Sequence, residues 1–319
     1  MGVHSEEDLF YPSWLRGLLQ QAVILLAKPY IRRELPGWGK MFSVVAGSKR
    51  DWFWSGSSEK IIKGKLHGYT MHLTLDRWPD RSAFFLDRWY DLETQLILRD
   101  LIKPGATVVD VGANRGMFAL AASRLVGEAG KVVCFEPNPN CLSLLNREIE
   151  ANGIRNIFVY PCGLGDCDIE LSLTVPFSDS GSGTLGEGLF GQEIAAYRVK
   201  VPVRVGDQML ACERPALIKI DVEGFEEKVL TGLSETLRKY RPVVLTEVFA
   251  KALTANGSSR STICETMSGF GYLGFRVALE KMGGRYGWTL IRLTVDDDCH
   301  FDAAWFHESA LAHIESKLR

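Results

Sequence analysis

The chain has 319 residues, 46% of them hydrophobic and 24% charged, a composition that excludes disordered and fibrous classes and allows a sizeable buried core. A net charge of −2 gives no electrostatic ground for nucleic acid as the principal partner. The seven cysteines include no Cys-x-x-Cys pair, so neither a zinc knuckle nor a disulfide framework is suggested, and a reducing, cytoplasmic setting is expected.

The first ten residues, MGVHSEEDLF, are acidic and lack the apolar run of a signal peptide, and Glu6 stands where a myristoylation pattern wants Ser or Thr. Residues 14–31, WLRGLLQQAVILLAKPYI, are interrupted by Arg16, Gln20, Gln21 and Lys28, too polar a run for a spanning helix. Leu15, Leu18, Leu19, Ala22, Leu25 and Leu26 recur at helical spacing and predict an amphipathic helix. Its apolar face would cover the chain's own domain, a second subunit in a homo-oligomer, or a membrane surface. Residues 36–60 mix Gly, Ser and Trp without a period and read as connecting structure over a surface. A strand at 69–75 and a helix at 91–102, stopped by Pro104 and Gly105, complete an N-terminal extension over residues 1–100.

From residue 101 to 319 the pattern becomes short apolar runs alternating with helical ones, the signature of βα units around a mostly parallel sheet. TVVDVG, KVVCFEP and IFVYPCGLGD supply three strands, ALIKID and PVVLTEV a fourth and fifth. Two alternating runs at 168–208, around SDSGSGTLGEG, interrupt the rhythm as a hairpin-like insertion whose segment 180–186 is either a lid or a plain hairpin tip. YLGFRVAL and WTLIRLTV form a closing antiparallel pair. Cys134 and Cys162 read as packed strand residues rather than nucleophiles.

In VVDVGANRG a strand ends at Asp110, and Gly112, Asn114 and Gly116 follow before a helix begins. Glycines there let the backbone turn sharply and a ligand touch the main chain. Glu136 closes the next strand, where a carboxylate can accept both hydroxyls of a ribose. The spacing is D-x-G-x-x-x-G rather than the G-x-G-x-x-G of a pyrophosphate turn. A carboxylate at that turn repels pyrophosphate but suits an ammonium and a sulfonium, which favours S-adenosylmethionine over NAD. In CGLGD, main-chain groups of Gly163 and Leu164, or the Asp166 side chain, could meet an adenine edge.

Ligands in open α/β sheets bind beyond the carboxyl ends of the strands, and Asp110, Glu136, Asp221 and Glu247 all end strands. No histidine falls between residues 106 and 250, so that proton carrier could enter only from the flanks. Methyl transfer to a hydroxyl needs a proton acceptor, and Asp221, Glu223 or Glu247 can serve. Two other readings stand beside that one: a magnesium ion held by the same carboxylates, which is not favoured, and helix N-capping by Asp221 or Glu223. Lys219 would pair with a strand-end carboxylate or reach into the crevice.

DVGANRG, FEPNP, CGLGD and above all IKIDVEGFEEKVLTGL resemble the FkbM family of S-adenosylmethionine-dependent methyltransferases, over about residues 65–275. The resemblance implies a Rossmann-like class I α/β fold with a seven-stranded mostly parallel sheet and helices on both faces. It also implies an O-methyltransferase acting on a hydroxyl of a sugar or of a glycosylated or polyketide small molecule. By it, Asp110, Gly112, Asn114, Gly116 and Glu136 would bind the cofactor, and Asp221, Glu223 and Glu247 would line the reaction centre. An NAD-dependent sugar oxidoreductase and a non-catalytic scaffold are the alternatives carried forward.

Overall fold

The computed structural model describes residues 12–176, 183–185, 196–282, 285–293 and 300–318. Residues 1–11 lie outside the described residues, as do 180–182 and 186 of the segment given the lid or hairpin-tip reading. The chain divides into two compact units, Met1–Leu92 and Glu93–Arg319.

The first unit contains α1 (Ser13–Arg32), α2 (Trp38–Ala46), α3 (Asp51–Trp54), β1 (Lys60–Lys63), β2 (Thr70–Leu73) and α4 (Trp78–Leu86), with β1 and β2 antiparallel. Arg81 is fully buried and holds the unit together. Its guanidinium donates to the carbonyls of Ala46, Leu75 and Gly47 and pairs with Asp51 at 2.6 Å. Five donors in a fixed planar fork let one side chain satisfy several loop carbonyls that burial would otherwise leave bare. Residues 36–60, expected to be connecting structure, form α2 and α3 instead. Trp54 is fully buried edge-on to Phe85, so packing stabilises turns too short to show a period.

A second departure concerns α1. It is a helix, but Gln20, Ala27 and Ile31 are its buried residues, while Leu18, Leu25 and Leu26 of the expected packing stripe face outward. Among the described residues no helix is long and apolar enough to cross a membrane.

The second unit opens with α5 (Leu92–Leu101) and continues β3 (Thr107–Val111), α6 (Met117–Val126), β4 (Lys131–Phe135), α7 (Pro139–Ala151) and β5 (Ile157–Tyr160). Then come β6 (Gly163–Gly165), β7 (Ile169–Pro176), β8 (Ala196–Val205), α8 (Gly206–Met209), β9 (Pro215–Ile220), α9 (Glu226–Gly232), α10 (Ser234–Tyr240) and β10 (Val243–Val248). The remaining elements are α11 (Ala250–Ala255), α12 (Arg260–Gly269), β11 (Tyr272–Met282), β12 (Arg285–Arg292) and β13 (Phe301–His307). The main sheet runs β12-β11-β13-β10-β9-β3-β4-β5, with β10 through β5 parallel. Strands buried on both faces carry unbroken apolar runs, as Val108, Val109 and Val111 do in β3 and Leu217, Ile218 and Ile220 in β9.

The fold is the expected Rossmann-like α/β sheet, with eight strands in place of seven. The hairpin of β11 and β12 forms as expected, but β13 inserts between β11 and β10, leaving β12 at the edge. The third strand also differs: it leaves the main sheet at Tyr160, and Gly163–Gly165 joins β7 and β8 in a separate three-stranded sheet. Cys134 and Cys162 are buried, and burial pushes the Cys162 thiol up to about 11, as suits packed rather than reactive sulfur.

Candidate active site

The parallel strands bring their carboxyl ends to one edge of the sheet, and β13, antiparallel to β10, starts at that same edge. Gly112 sets the closeness of the two central strand ends. Its φ is +82°, and a Cβ there would overlap the carbonyl oxygen of Asp221, so only glycine lets the loop after β3 touch the loop after β9. The amide of Asp221 in turn donates to Val111 O at 2.9 Å.

Asp110 is fully buried within β3 and stands beside Lys219 in the pairing of β3 with β9. Among the described residues neither of its carboxylate oxygens has a hydrogen-bond partner. Burial raises its pKa to about 7, Lys219 opposing and the Asp221 charge adding to the shift. Glu136 follows β4 and is also buried; its two oxygens accept the amides of Asn114 at 2.6 Å and Asn138 at 2.8 Å. Burial lifts Glu136 to about 7 against those two N–H groups. Each oxygen keeps a second lone pair that a ribose hydroxyl can use. Asn114, with φ +51°, and Gly116, at the start of α6, complete this loop. Gly163 and Leu164 are buried in β6, and Pro137 of the Glu136 loop lies 4.0 Å from where a Gly163 Cβ would be. Asp166 is drawn to α9 by Lys228, at 3.0 Å.

Two buried carboxylates, one with both oxygens unpartnered, beside a glycine whose bare Cα leaves room, form an anionic cradle. That donor set fits a cofactor carrying an ammonium and a sulfonium and does not fit a pyrophosphate.

Asp221, Glu223 and Glu247 each offer a carboxylate oxygen within 4.8 Å of the others. They are not equivalent. Lys219 Nζ holds Asp221 Oδ2 at 2.6 Å and lies 5.7 Å from the Phe118 ring centroid. Burial works against the Lys219 ammonium, but Asp221 and Asp110 outweigh it and hold its pKa above the ordinary lysine value. The neighbouring turn is tight, with φ +54° at Glu223 and +101° at Gly224. It is tied down by Glu226, whose Oε1 accepts the amides of Val222 at 3.2 Å and Gly224 at 3.1 Å. The Glu223 carbonyl accepts Thr184 Oγ1 at 3.0 Å. The N-cap of α9 is Phe225, with no side-chain capping bond, so Glu226 does the tethering that the capping reading gave to Asp221 or Glu223.

Glu247 lies near the end of β10, and its Oε1 meets His300 Nε2 at 2.7 Å. Its Oε2 is buried and, among the described residues, has no hydrogen-bond partner. Burial, with the Asp221 charge second, raises the Glu247 pKa, and His300 opposes it. The hydrogen bond to Glu247 raises His300 in return, against partial burial. The imidazole stacks on Phe249 with centroids 4.8 Å apart, and 54% of its side-chain surface is open to solvent.

The structure therefore brings Asp110, Gly112, Asn114, Gly116 and Glu136 together at the ends of β3 and β4, and Asp221, Glu223 and Glu247 at the ends of β9 and β10. Two participants escape sequence reasoning. Glu226 reads as an ordinary helical acid, although it follows the turn it ties. His300 stands directly before FDAAWF, an apolar run whose recognition as a strand antiparallel to β10 would have placed the histidine at the crevice.

Residues 110–275 match the methyltransferase FkbM domain family. The chain belongs to this family. Methyltransferase 1 of Beauveria bassiana (strain ARSEF 2860) is 29% identical over 172 residues, 48% of this chain and 66% of that protein. Methyltransferase sdnD of Sordaria araneosa is 31% identical over 183 residues, 48% of this chain and 68% of that protein. The chain thus spans about two-thirds of the length of these two fungal relatives. The FkbM methyltransferase structure from Methylobacillus flagellatus KT is a looser likeness, with a TM-score of 0.41 at 16% identity, covering 91% of this chain and 60% of that one. Membership of the FkbM family displaces the nicotinamide reading.

Proposed function

We propose that this FkbM-family protein transfers the methyl group of S-adenosylmethionine to a hydroxyl of a small molecule, with Glu247 as the proton acceptor. The acceptor class, a sugar or a glycosylated or polyketide molecule, is the one the family resemblance supplies. Asp110, Gly112, Asn114, Gly116 and Glu136 would hold the cofactor, whose sulfonium makes its methyl group electrophilic. Gly163 and Leu164 would border its base, while Asp166, engaged by Lys228, contributes charge to α9.

The observation that carries the assignment is the division of labour between two carboxylates. Asp221 is engaged by the Lys219 ammonium, with Nζ 2.6 Å from its Oδ2. Glu247 has a buried oxygen with no donor on it among the described residues and a histidine on the other. Glu247 Oε2 would take the hydroxyl proton as the acceptor oxygen displaces S-adenosylhomocysteine, the carbon–sulfur bond breaking as the carbon–oxygen bond forms. Neutralising Glu247 removes the anion that raises the His300 pKa, so the imidazole holds a proton less tightly once Glu247 has taken one. Asp221 and Lys219 remain a fixed dipole beside the reaction. The three carboxylates do not need a magnesium ion between them, because Lys219 and His300 already occupy two.

Release of S-adenosylhomocysteine from a panel of sugars and polyketide alcohols tests the proposal. Turnover with any of them, lost in Glu136→Ala together with cofactor binding, is the expected outcome. An absence of S-adenosylmethionine binding in calorimetry would overturn it.

A further inference from the structure

Among the described residues, the outward face of α1 is left exposed by its own unit. The inner face is accounted for: Gln20 Nε2 donates to Phe53 O at 2.6 Å, Ala27 and Ile31 are buried, and Lys28 pairs with Asp87 at 3.1 Å while lying over the Phe84 ring. Across the helix, Trp14, Leu18, Leu25 and Leu26 are 66%, 60%, 73% and 81% exposed. At about 100° per residue they fall within one arc, which Ala22 and Pro29 also share. On α2, Val44 is 62% exposed, and Lys40 stands one turn before it on the outer side. Scattered exposed apolar residues are ordinary; a continuous stripe rimmed by charge marks a contact surface.

The charge of that rim selects the partner. Residues 12–50 hold seven Lys and Arg against one acidic residue, in a chain whose overall net charge is −2. The single acid, Glu34, is consumed by Lys65 and Arg88. Arg33 is exposed where the stripe ends, beside Arg32, which pairs with Asp87 at 2.5 Å. Two copies meeting through this face would bring like charges together, whereas anionic headgroups complement it. A helix of this kind, with Trp and Leu on one side and cations beside them, lies in the plane of a membrane interface.

We infer that α1 docks the protein flat on an anionic lipid surface. Trp14, Leu18, Leu25 and Leu26 enter the boundary of the acyl region, and Arg33 and Lys40 rest among the headgroups. The inference is independent of the methyl-transfer reading and stands or falls without it.

Flotation of the full-length protein with phosphatidylcholine vesicles, with and without about 30% phosphatidylserine, tests it. Each basic residue near such a surface is worth about fivefold in affinity, so binding to the anionic vesicles should exceed binding to neutral ones by at least about tenfold, and should weaken in high salt. Leu18→Glu with Leu25→Glu should abolish it. Arg33→Glu with Lys40→Glu should lower it to the neutral level. All four residues are exposed, so melting temperature and far-UV dichroism should stay as in the wild type. Failure to float with anionic vesicles, equal binding to both kinds, or undiminished binding of Leu18→Glu/Leu25→Glu would overturn the inference. A dimer that the same leucine pair dissolves, without lipid binding, would overturn it in favour of a second copy.

Discussion

Replacing Glu247 by Gln separates the proposed base from every structural role of the same side chain. The amide has the same shape, and with His300 Nε2 as donor its oxygen occupies the Oε1 position, 2.7 Å from that nitrogen. The NH2 group then falls at Oε2, where a donor replaces the one unpartnered acceptor. Loss of a positioned base costs about 10²- to 10⁴-fold in rate, or about 2.7 to 5.5 kcal/mol in activation free energy. Glu247→Gln should therefore lower kcat by that amount while changing S-adenosylmethionine affinity by less than about threefold, since it sits away from the Asp110 and Glu136 cradle. Asp221→Asn should act the other way. It keeps the base, leaves buried Lys219 short of a counter-charge, and so costs about 2 to 3 kcal/mol of stability, reduced because Asp221 is one-third exposed and Asp110 remains nearby. Single-turnover methyl transfer on the best acceptor of the panel, paired with calorimetry and urea unfolding, reads all three quantities. Full turnover in Glu247→Gln with none in folded Asp221→Asn would move the base to Asp221 and refute the reasoning.

Other outcomes follow from the same geometry. Gly112→Ala should abolish cofactor binding and destabilise the fold by at least about 2 kcal/mol, since the new methyl meets Asp221 O at a φ of +82°; thermal melts and calorimetry decide this. Asp110 and Glu136 sit near pKa 7 without cofactor, so a cationic ligand should bind up to about tenfold more tightly per coupled carboxylate at pH 8 than at pH 6, releasing protons that calorimetry in two buffers can count. With Glu226 near 8, these folded-state values all exceed the unfolded ones, so the native state binds the extra protons. The stability these three groups contribute to the cofactor-free protein should then be full below the ordinary carboxylate range and be lost as pH rises through 7 to 8. Treatment with EDTA should leave turnover within about twofold, because Lys219 and His300 already engage two of the three carboxylates that could hold a metal. Turnover that fell on chelation and returned with magnesium would reject that view.

Much of the site was legible because a parallel sheet places its functional residues by a local rule. A strand is an apolar run, the residue after it lies at the crevice, and so Asp110, Glu136, Asp221 and Glu247 could be read directly as a converging set. The glycines announced their loop in the same local way. What escaped depended on contacts distant in sequence. His300 reaches Glu247 across 53 residues only because β13 runs antiparallel beside β10. The pairing partner of a strand is not written in its own composition. The same holds for α1: periodicity located its apolar stripe, but an amphipathic pattern says only that one face is apolar, not what that face meets.

The amino-acid sequence by itself determined the βα order, the acidic strand ends, the glycine-bearing loop and the family they belong to, since each rests on residues within one turn or one strand of each other. The tertiary structure alone decided how the strand-end acids differ. Asp221 and Glu247 look alike as strand-end carboxylates, and only folding set a lysine 2.6 Å from one and a histidine 2.7 Å from the other. Protonation follows the field of neighbours, and neighbours are a property of the fold.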